Sequence, residues 1–174
     1  MSTKPSNNEL NNLNSNTHQL VINRMTRTSF KAVRVGLPGF SFVPTVLDVP
    51  NQEFYIPGMR FRADPVIVQY IVDEDMSNYM ECLRWISETR SYDEADLLED
   101  LLSDFTVNLL DNHHKSSVSF RYTGGFIQGM DSLDVDSRTS NPTALVNTLT
   151  LRFQNVEVDV YNGDNKETIE GLRV

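Results

Sequence analysis

With 174 residues, 39% of them hydrophobic and 22% charged, the chain suits one domain with a real core, and nothing suggests wholesale disorder. A net charge of −9 argues against sequence-specific nucleic-acid binding, which needs a basic face. No apolar run approaches the roughly 20 residues that span a bilayer, and the single cysteine, Cys82, leaves neither an internal disulfide nor a cysteine-based zinc site.

The charge is unevenly spread. Residues 1–34 carry Lys4, Arg24, Arg27, Lys31 and Arg34 against Glu9 alone, a local balance of +4, which leaves −13 for the remainder. Met1 to Asn16 is polar and lacks the apolar stretch of a signal peptide, so the chain reads as cytosolic while it folds. Six asparagines (7, 8, 11, 12, 14 and 16) with only Leu10 and Leu13 as apolar anchors predict a flexible arm over residues 1–17. A single domain is expected over 18–162, followed by a polar tail at 163–174.

From Gln19 the pattern becomes strand-like, first Leu20 to Met25 and then Phe30 to Val35, until Leu37-Pro38-Gly39 breaks the ladder. Prolines 44, 50 and 57 alternate with Val46, Val49, Phe54, Tyr55 and Ile56, which disfavours a central strand. The segment 44–62 is therefore expected as an extended loop or projecting hairpin, with Pro57-Gly58 suited to a tight turn. Phe54, Tyr55, Ile56, Met59 and Phe61 give it more apolar payload than a solvated loop needs, and they are the candidate subunit or ring interface.

Val66 to Val72 is a short, nearly all-apolar strand introduced by Asp64-Pro65. Met76, Tyr79, Met80, Leu83 and Ile86 then fall on one face of a helix over about 76–88, predicted to be its inward stripe. Asp73, Glu74 and Asp75 sit where a helix start favours negative charge, which accounts for them without a metal. An acidic block from Asp93 to Asp104, interleaved with leucines, predicts a short second helical turn with its acids in water. Asp104–Asp111 and Ser117–Tyr122 alternate as a hairpin around Asn112-His113-His114-Lys115, and Gly124-Gly125 leads into Phe126-Ile127. Leu133 to Asn141 reads as a polar loop. In the last strand Leu149, Leu151 and Phe153 alternate in one phase and Val156, Val158 and Val160 in the other, so a β-bulge is expected at Gln154-Asn155. The order of elements predicts an α+β domain without βαβ units.

Nothing in the chain spells an enzyme. It has no Gly-rich phosphate loop, no His-Glu-x-x-His and no Gly-x-Ser-x-Gly. His113 and His114 lie in a turn, His18 near the arm, and Cys82 is expected to be a buried, inert thiol. No catalytic residue, metal site or cofactor is assigned.

Leu37-Pro38-Gly39-Phe40, Tyr55-Ile56-Pro57-Gly58, the run Asp64-Pro65-Val66-Ile67-Val68-Gln69-Tyr70-Ile71-Val72-Asp73-Glu74-Asp75-Met76-Ser77-Asn78-Tyr79, and Trp85-Ile86 stand in this order. Together they resemble the tail-tube-like proteins of contractile-tailed bacteriophages, the myoviruses, over about residues 19–161. The nearest likeness within that family is to the tail completion or tube terminator group of T-even-type phages. The arm before Gln19 and the acidic 93–104 block have no counterpart in it.

The resemblance implies a mainly antiparallel β-sandwich or incomplete barrel with one flanking helix, and a structural role without catalysis. It implies a homohexameric ring that ends the tail tube at its head-proximal side and seats sheath-terminating and neck proteins, with genomic DNA passing through the lumen unbound. Its implied partners are thus further copies of itself, the tail tube protein, and the sheath and neck proteins, with no membrane. Its implied location is the virion tail, after assembly in the host cytoplasm. In that family a loop or hairpin grips the neighbouring ring, and 44–62 occupies the corresponding place. The alternatives are a major tail tube protein or tube initiator and, from another class, a monomeric binding or assembly factor.

Overall fold

The computed structural model describes residues 17–50, 52–58, 60–90, 101–135, 144–162 and 165–173. The expected arm up to Asn16, most of the acidic 93–104 block and the latter part of the 133–141 loop lie outside them. In chain order the elements are β1 (His18–Ile22), α1 (Thr26–Phe30), β2 (Ala32–Gly36), β3 (Phe40–Phe42), β4 (Thr45–Val49), β5 (Gln52–Ile56), β6 (Phe61–Ala63) and β7 (Val66–Ile71). There follow α2 (Ser77–Arg90), β8 (Ser103–Leu110), β9 (Ser116–Met130), β10 (Val146–Arg152), β11 (Asn155–Asn162) and β12 (Asn165–Arg173).

All strand pairs are antiparallel, and β9, 15 residues long, belongs to both halves of the main sheet. Its first half pairs with β8 on one side and β11 on the other, and its second half with β10. β1 extends the first half beyond β8 and β12 beyond β11, while β7 and β2 extend the second half beyond β10. The curved sheet closes on one apolar cluster that includes Ile22, Val68, Tyr70, Phe105, Val107, Tyr122, Leu149, Leu151 and Val156, with Cys82 and Trp85 brought in from α2. This is the expected α+β, mainly antiparallel fold that does not close into a barrel, and among the described residues the short α1 accompanies the expected helix α2.

The phase change in the last strand is present, and its cause is not an inserted residue. Leu151 faces Ile127 and Arg152 faces Phe126, and beyond the break Asn155 faces Thr123 and Val156 faces Tyr122. Two residues separate these pairs on each strand, so the register is continuous. Both strands change phase together: Leu151 and Phe153 are buried before the break and Val156 after it, while Ile127 and Gly125 give way to Tyr122. The corner lies at Gly124, with φ of +65°, a left-handed conformation that glycine adopts without the Cβ penalty. At Gly125 a Cβ would come 2.6 Å from the Ser103 carbonyl oxygen and 2.7 Å from the Phe105 ring. The register shifts fall in other pairs: β9 carries an extra residue against β10 between Thr150 and Leu151, and another against β8 at the corner itself, where Ser103 faces Gly125 and Phe105 faces Tyr122.

Three further expectations are corrected. Thr26–Phe30 is a helix, so the second strand starts at Ala32; Ser29 Oγ holds the turn by accepting from Ile22 N–H and donating to the Met25 carbonyl. The polar tail contains a strand, β12, paired along β11. Helix α2 is also rotated from its predicted phase. Its buried residues are Asn78, Cys82 and Trp85, whereas Met76, Met80 and Leu83 are exposed, and Tyr79 and Ile86 flank the core. Polar bonds set this rotation. Asn78 Nδ2 donates to the Ile71 carbonyl, its Oδ1 accepts from Asp73 N–H, and Trp85 Nε1 donates to the Leu101 carbonyl at 2.8 Å.

Candidate functional site

The segment between Phe40 and Ala63 is a two-part β-ribbon. β3 and β6 form its base, with Phe40 opposite Ala63 and Phe42 opposite Phe61. β4 and β5 form its outer part, with Thr45 opposite Ile56, Leu47 opposite Phe54 and Val49 opposite Gln52. Pro44 and Pro57 sit at the junction, where neither can donate to the ladder. A Cβ on Gly58 would run into the Val43 carbonyl, so this position needs a glycine for close approach. Pro57-Gly58 is therefore the neck of the ribbon. The reversal lies at Pro50, seven residues before the expected turn.

Directly paired residues share a face, so the outer ribbon shows Leu47, Phe54 and Ile56 on one side and Val46, Tyr55, Asp48 and Glu53 on the other. Both sides are open: Phe54 is 50% exposed, Tyr55 67% and Ile56 43%. Phe61, half-buried at the base, stacks on Phe40 at 5.6 Å between ring centroids and meets Phe42 at 5.4 Å. Met59 lies outside the described residues. Of the proposed interface residues, the structure thus puts Phe54, Tyr55 and Ile56 together on β5 and Phe61 on β6. Phe40 and Phe42 join them and were not singled out in the sequence, although Phe-Ser-Phe next to Leu-Pro-Gly carries a short alternating signal. No described residue from Phe40 to Arg62 is buried, so the ribbon stands apart from the core.

Among the described residues three strands end the sheet, β1, β2 and the outer side of β12. Each has a row of backbone groups with no strand partner among those residues, the arrangement that invites pairing with another chain. Val33 on β2 and Val21 on β1 add exposed apolar side chains there.

Basic residues of the N-terminal segment meet the acidic entrance of α2. Arg24 pairs with Glu88 and lies over the Trp85 ring at 5.8 Å, Lys31 stands 3.5 Å from Asp73, and Arg27 stands 3.9 Å from Asp75. The Ser77 backbone N–H donates to Asp75 and holds its carboxyl below the ordinary range. The hollows beside these residues are open to solvent. Asp73 and Asp75 are thus engaged in helix entry and ion pairs. Among the described residues no group of three or more His, Cys, Asp or Glu is placed to hold a metal.

Burial pushes the Cys82 thiol up, overriding the hydrogen bond that it shares with Thr28 Oγ1 at 3.6 Å, which makes it a poor nucleophile. Burial also raises the Tyr122 phenol, packed between Phe105 and Phe153. His113 and His114 are exposed in the β8–β9 turn, which Asp111 organises by accepting from the His113 and Lys115 N–H groups. Among the described residues no helix is long and apolar enough to cross a membrane.

No protein-family model matches the chain. The tail tube terminator protein of Enterobacteria phage T4 is 24% identical over 106 residues, which cover 59% of this chain and 60% of that protein's length. The match therefore spans less than two thirds of that relative. Among solved structures, a chain of the sheath–tube complex of an extracellular contractile injection system, PVC, in its extended state superposes with a TM-score of 0.65 at 13% identity. It covers 91% of this chain and 100% of that one. The fold is of the tail-tube type. A chain of the PVC sheath/tube terminator structure gives a TM-score of 0.64 at 14% identity over 85% of this chain and 96% of its own. The resemblance read from the sequence and the one read from the tail-tube fold thus point to the same group of proteins.

Proposed function

We propose that this chain is a structural tail protein that forms a ring, homohexameric as in the family it resembles, and terminates the tube of a contractile tail. The observation that carries the reading is an apolar ribbon held wholly outside the core of a domain whose sheet has open edges. A lone monomer gains nothing from either. A closed ring covers both, because a heterologous contact that closes leaves no free edge. The likeness to the T4 tail tube terminator supports the terminator role over other tube roles. On this reading the ring seats the sheath terminator and neck proteins, and DNA passes an acidic body without the counterion release that drives binding. No step requires catalysis, a cofactor or a membrane. The protein works in the virion tail after assembly in the host cytoplasm.

One observation favours a second reading. The fold matches a chain of a sheath–tube complex as well as it matches a terminator chain, so a major tube protein or tube initiator has the same architecture. Light scattering on the purified chain, then negative-stain imaging with and without tail tube protein, tests both. A terminator gives single rings alone and caps on tube ends. Long tubes from this chain alone support the tube protein, and a persistent monomer supports an assembly factor.

A further inference from the structure

We propose that the outer ribbon of one copy seats on the outward ridge of α2 in the next copy, a head-to-tail contact that deepens, and rests on, the ring-forming reading. The rotation of α2 creates the acceptor. Met80 and Leu83, at i and i+3, form an exposed apolar ridge at 43% and 37% exposure, and Met76, 39% exposed in a left-handed conformation, precedes the helix. Arg84 and Arg90 flank it and make no ion pair among the described residues, whereas Arg24, Arg27 and Lys31 behind the helix are all matched to acids. The ridge is therefore apolar and flanked by cations, because the acids of α2 are engaged elsewhere, Glu88 with Arg24 and Glu81 with the Thr28 N–H and hydroxyl.

The ribbon carries the complement. On its Val46–Tyr55 face two acids, Asp48 and Glu53, stand directly opposite each other across the ladder. Like charges so paired are unfavourable in isolation, and among the described residues neither has a cation beside it; Glu53 has only the Tyr55 hydroxyl, 3.2 Å away. An arginine pair from outside relieves that repulsion while Met80 and Leu83 cover Val46 and Tyr55. The lengths agree, since five strand residues span roughly 13 Å and Met80 to Arg90 rises roughly 15 Å along a helix. Donor and acceptor are different surfaces of the same chain, so the contact is heterologous and closes into a ring if the rotation allows. The Leu47–Phe54–Ile56 face of the seated ribbon is covered in the same ring, so both faces contribute to closure.

Charge reversal tests the pairing. One variant carries Asp48→Arg and Glu53→Arg, a second carries Arg84→Glu and Arg90→Glu, and a third carries all four. All four altered side-chain positions are exposed, so each variant should keep the wild-type melting transition. Assembly is read as the protein concentration at half-maximal ring formation by light scattering. Either reversal alone should raise it by roughly a hundredfold, as like-charge contacts at an interface do. The four-site variant should regain it. An equimolar mixture of the two reversed proteins should also form rings, because each then presents to the other the sign that it lacks. Wild-type rings that ignore the reversals, or are lost without rescue in both the mixture and the four-site variant, overturn this contact and leave the ring reading standing. A wild-type chain that stays monomeric at all concentrations and with tube protein overturns both.

Discussion

Replacing Phe54 and Ile56 together by serine separates assembly from folding. Half of Phe54 and 43% of Ile56 are exposed in the single chain, so a seated ribbon hides roughly 180 Å² of their apolar surface, given the area aromatic and large aliphatic side chains bury. At about 25 cal/mol per Å² this contributes about 4 kcal/mol to each contact, or about a thousandfold in its dissociation constant. The fold should barely notice, because no described residue from Phe40 to Arg62 is buried and surface changes usually stay within about 0.5 kcal/mol. Size exclusion with light scattering should show a native-like monomer at concentrations where the parent forms rings, and the melting curve measured on monomer should overlay. The reasoning fails if the double variant still forms rings at the parent's concentration. It fails equally if the variant unfolds, since those side chains would then belong to the core.

The rotated α2 makes a ranking: Trp85→Ala should cost about 3–5 kcal/mol, and Leu83→Ala, on the exposed ridge, under about 1.5 kcal/mol; urea unfolding at monomeric concentrations that reverses this order contradicts the observed phase. Gly125→Ala should destabilise by about 1–3 kcal/mol, because its Cβ has no room between the Ser103 carbonyl and the Phe105 ring; an unchanged urea midpoint would remove the corner from the account. At Asp159, 2% exposed, burial works to raise the carboxyl, but hydrogen bonds from Thr168 and Lys166 and the charges of Lys166 and Arg121 override it and hold it below the ordinary range. A depressed carboxyl stabilises above its unfolded value near about 4 and loses that contribution as pH falls through the folded value. Amide exchange in β12 should therefore accelerate below about pH 4, and Asp159→Asn should flatten that acid-side dependence.

Much of the fold is legible in the sequence because most strands keep one wet side. β8 and the first half of β9 alternate cleanly around their turn, and β7 is apolar between Asp64-Pro65 and the carboxylates. The ribbon is legible from its prolines, although their role is to break the ladder at Pro44 and Pro57 and only Pro50 lies at the reversal. Helix α2 misleads for a physical reason. Its buried line contains Asn78, placed there by two backbone hydrogen bonds, while its most apolar positions are left outside. A hydrophobic count finds the face that wants to be covered, and in an assembly protein that face need not be the one its own core covers. β12 gives no signal because nearly all of its residues are exposed, so nothing alternates. The five-residue α1 is too short for helical periodicity, and its serine-centred bonds leave no apolar trace. The phase change at residues 153–156 is visible in one strand, but its matching change in β9 is masked by Gly124 and Gly125, which have no side chain to count.

The central claim is that this chain closes into a ring that ends a tube. Negative-stain imaging of purified tail tube protein polymerised with increasing amounts of this chain tests it most directly. The account predicts tubes that grow shorter with dose, each bearing one ring of this chain at one end, and isolated rings where tube protein is omitted. Tubes of unchanged length with bare ends, or long tubes built from this chain alone, would contradict it.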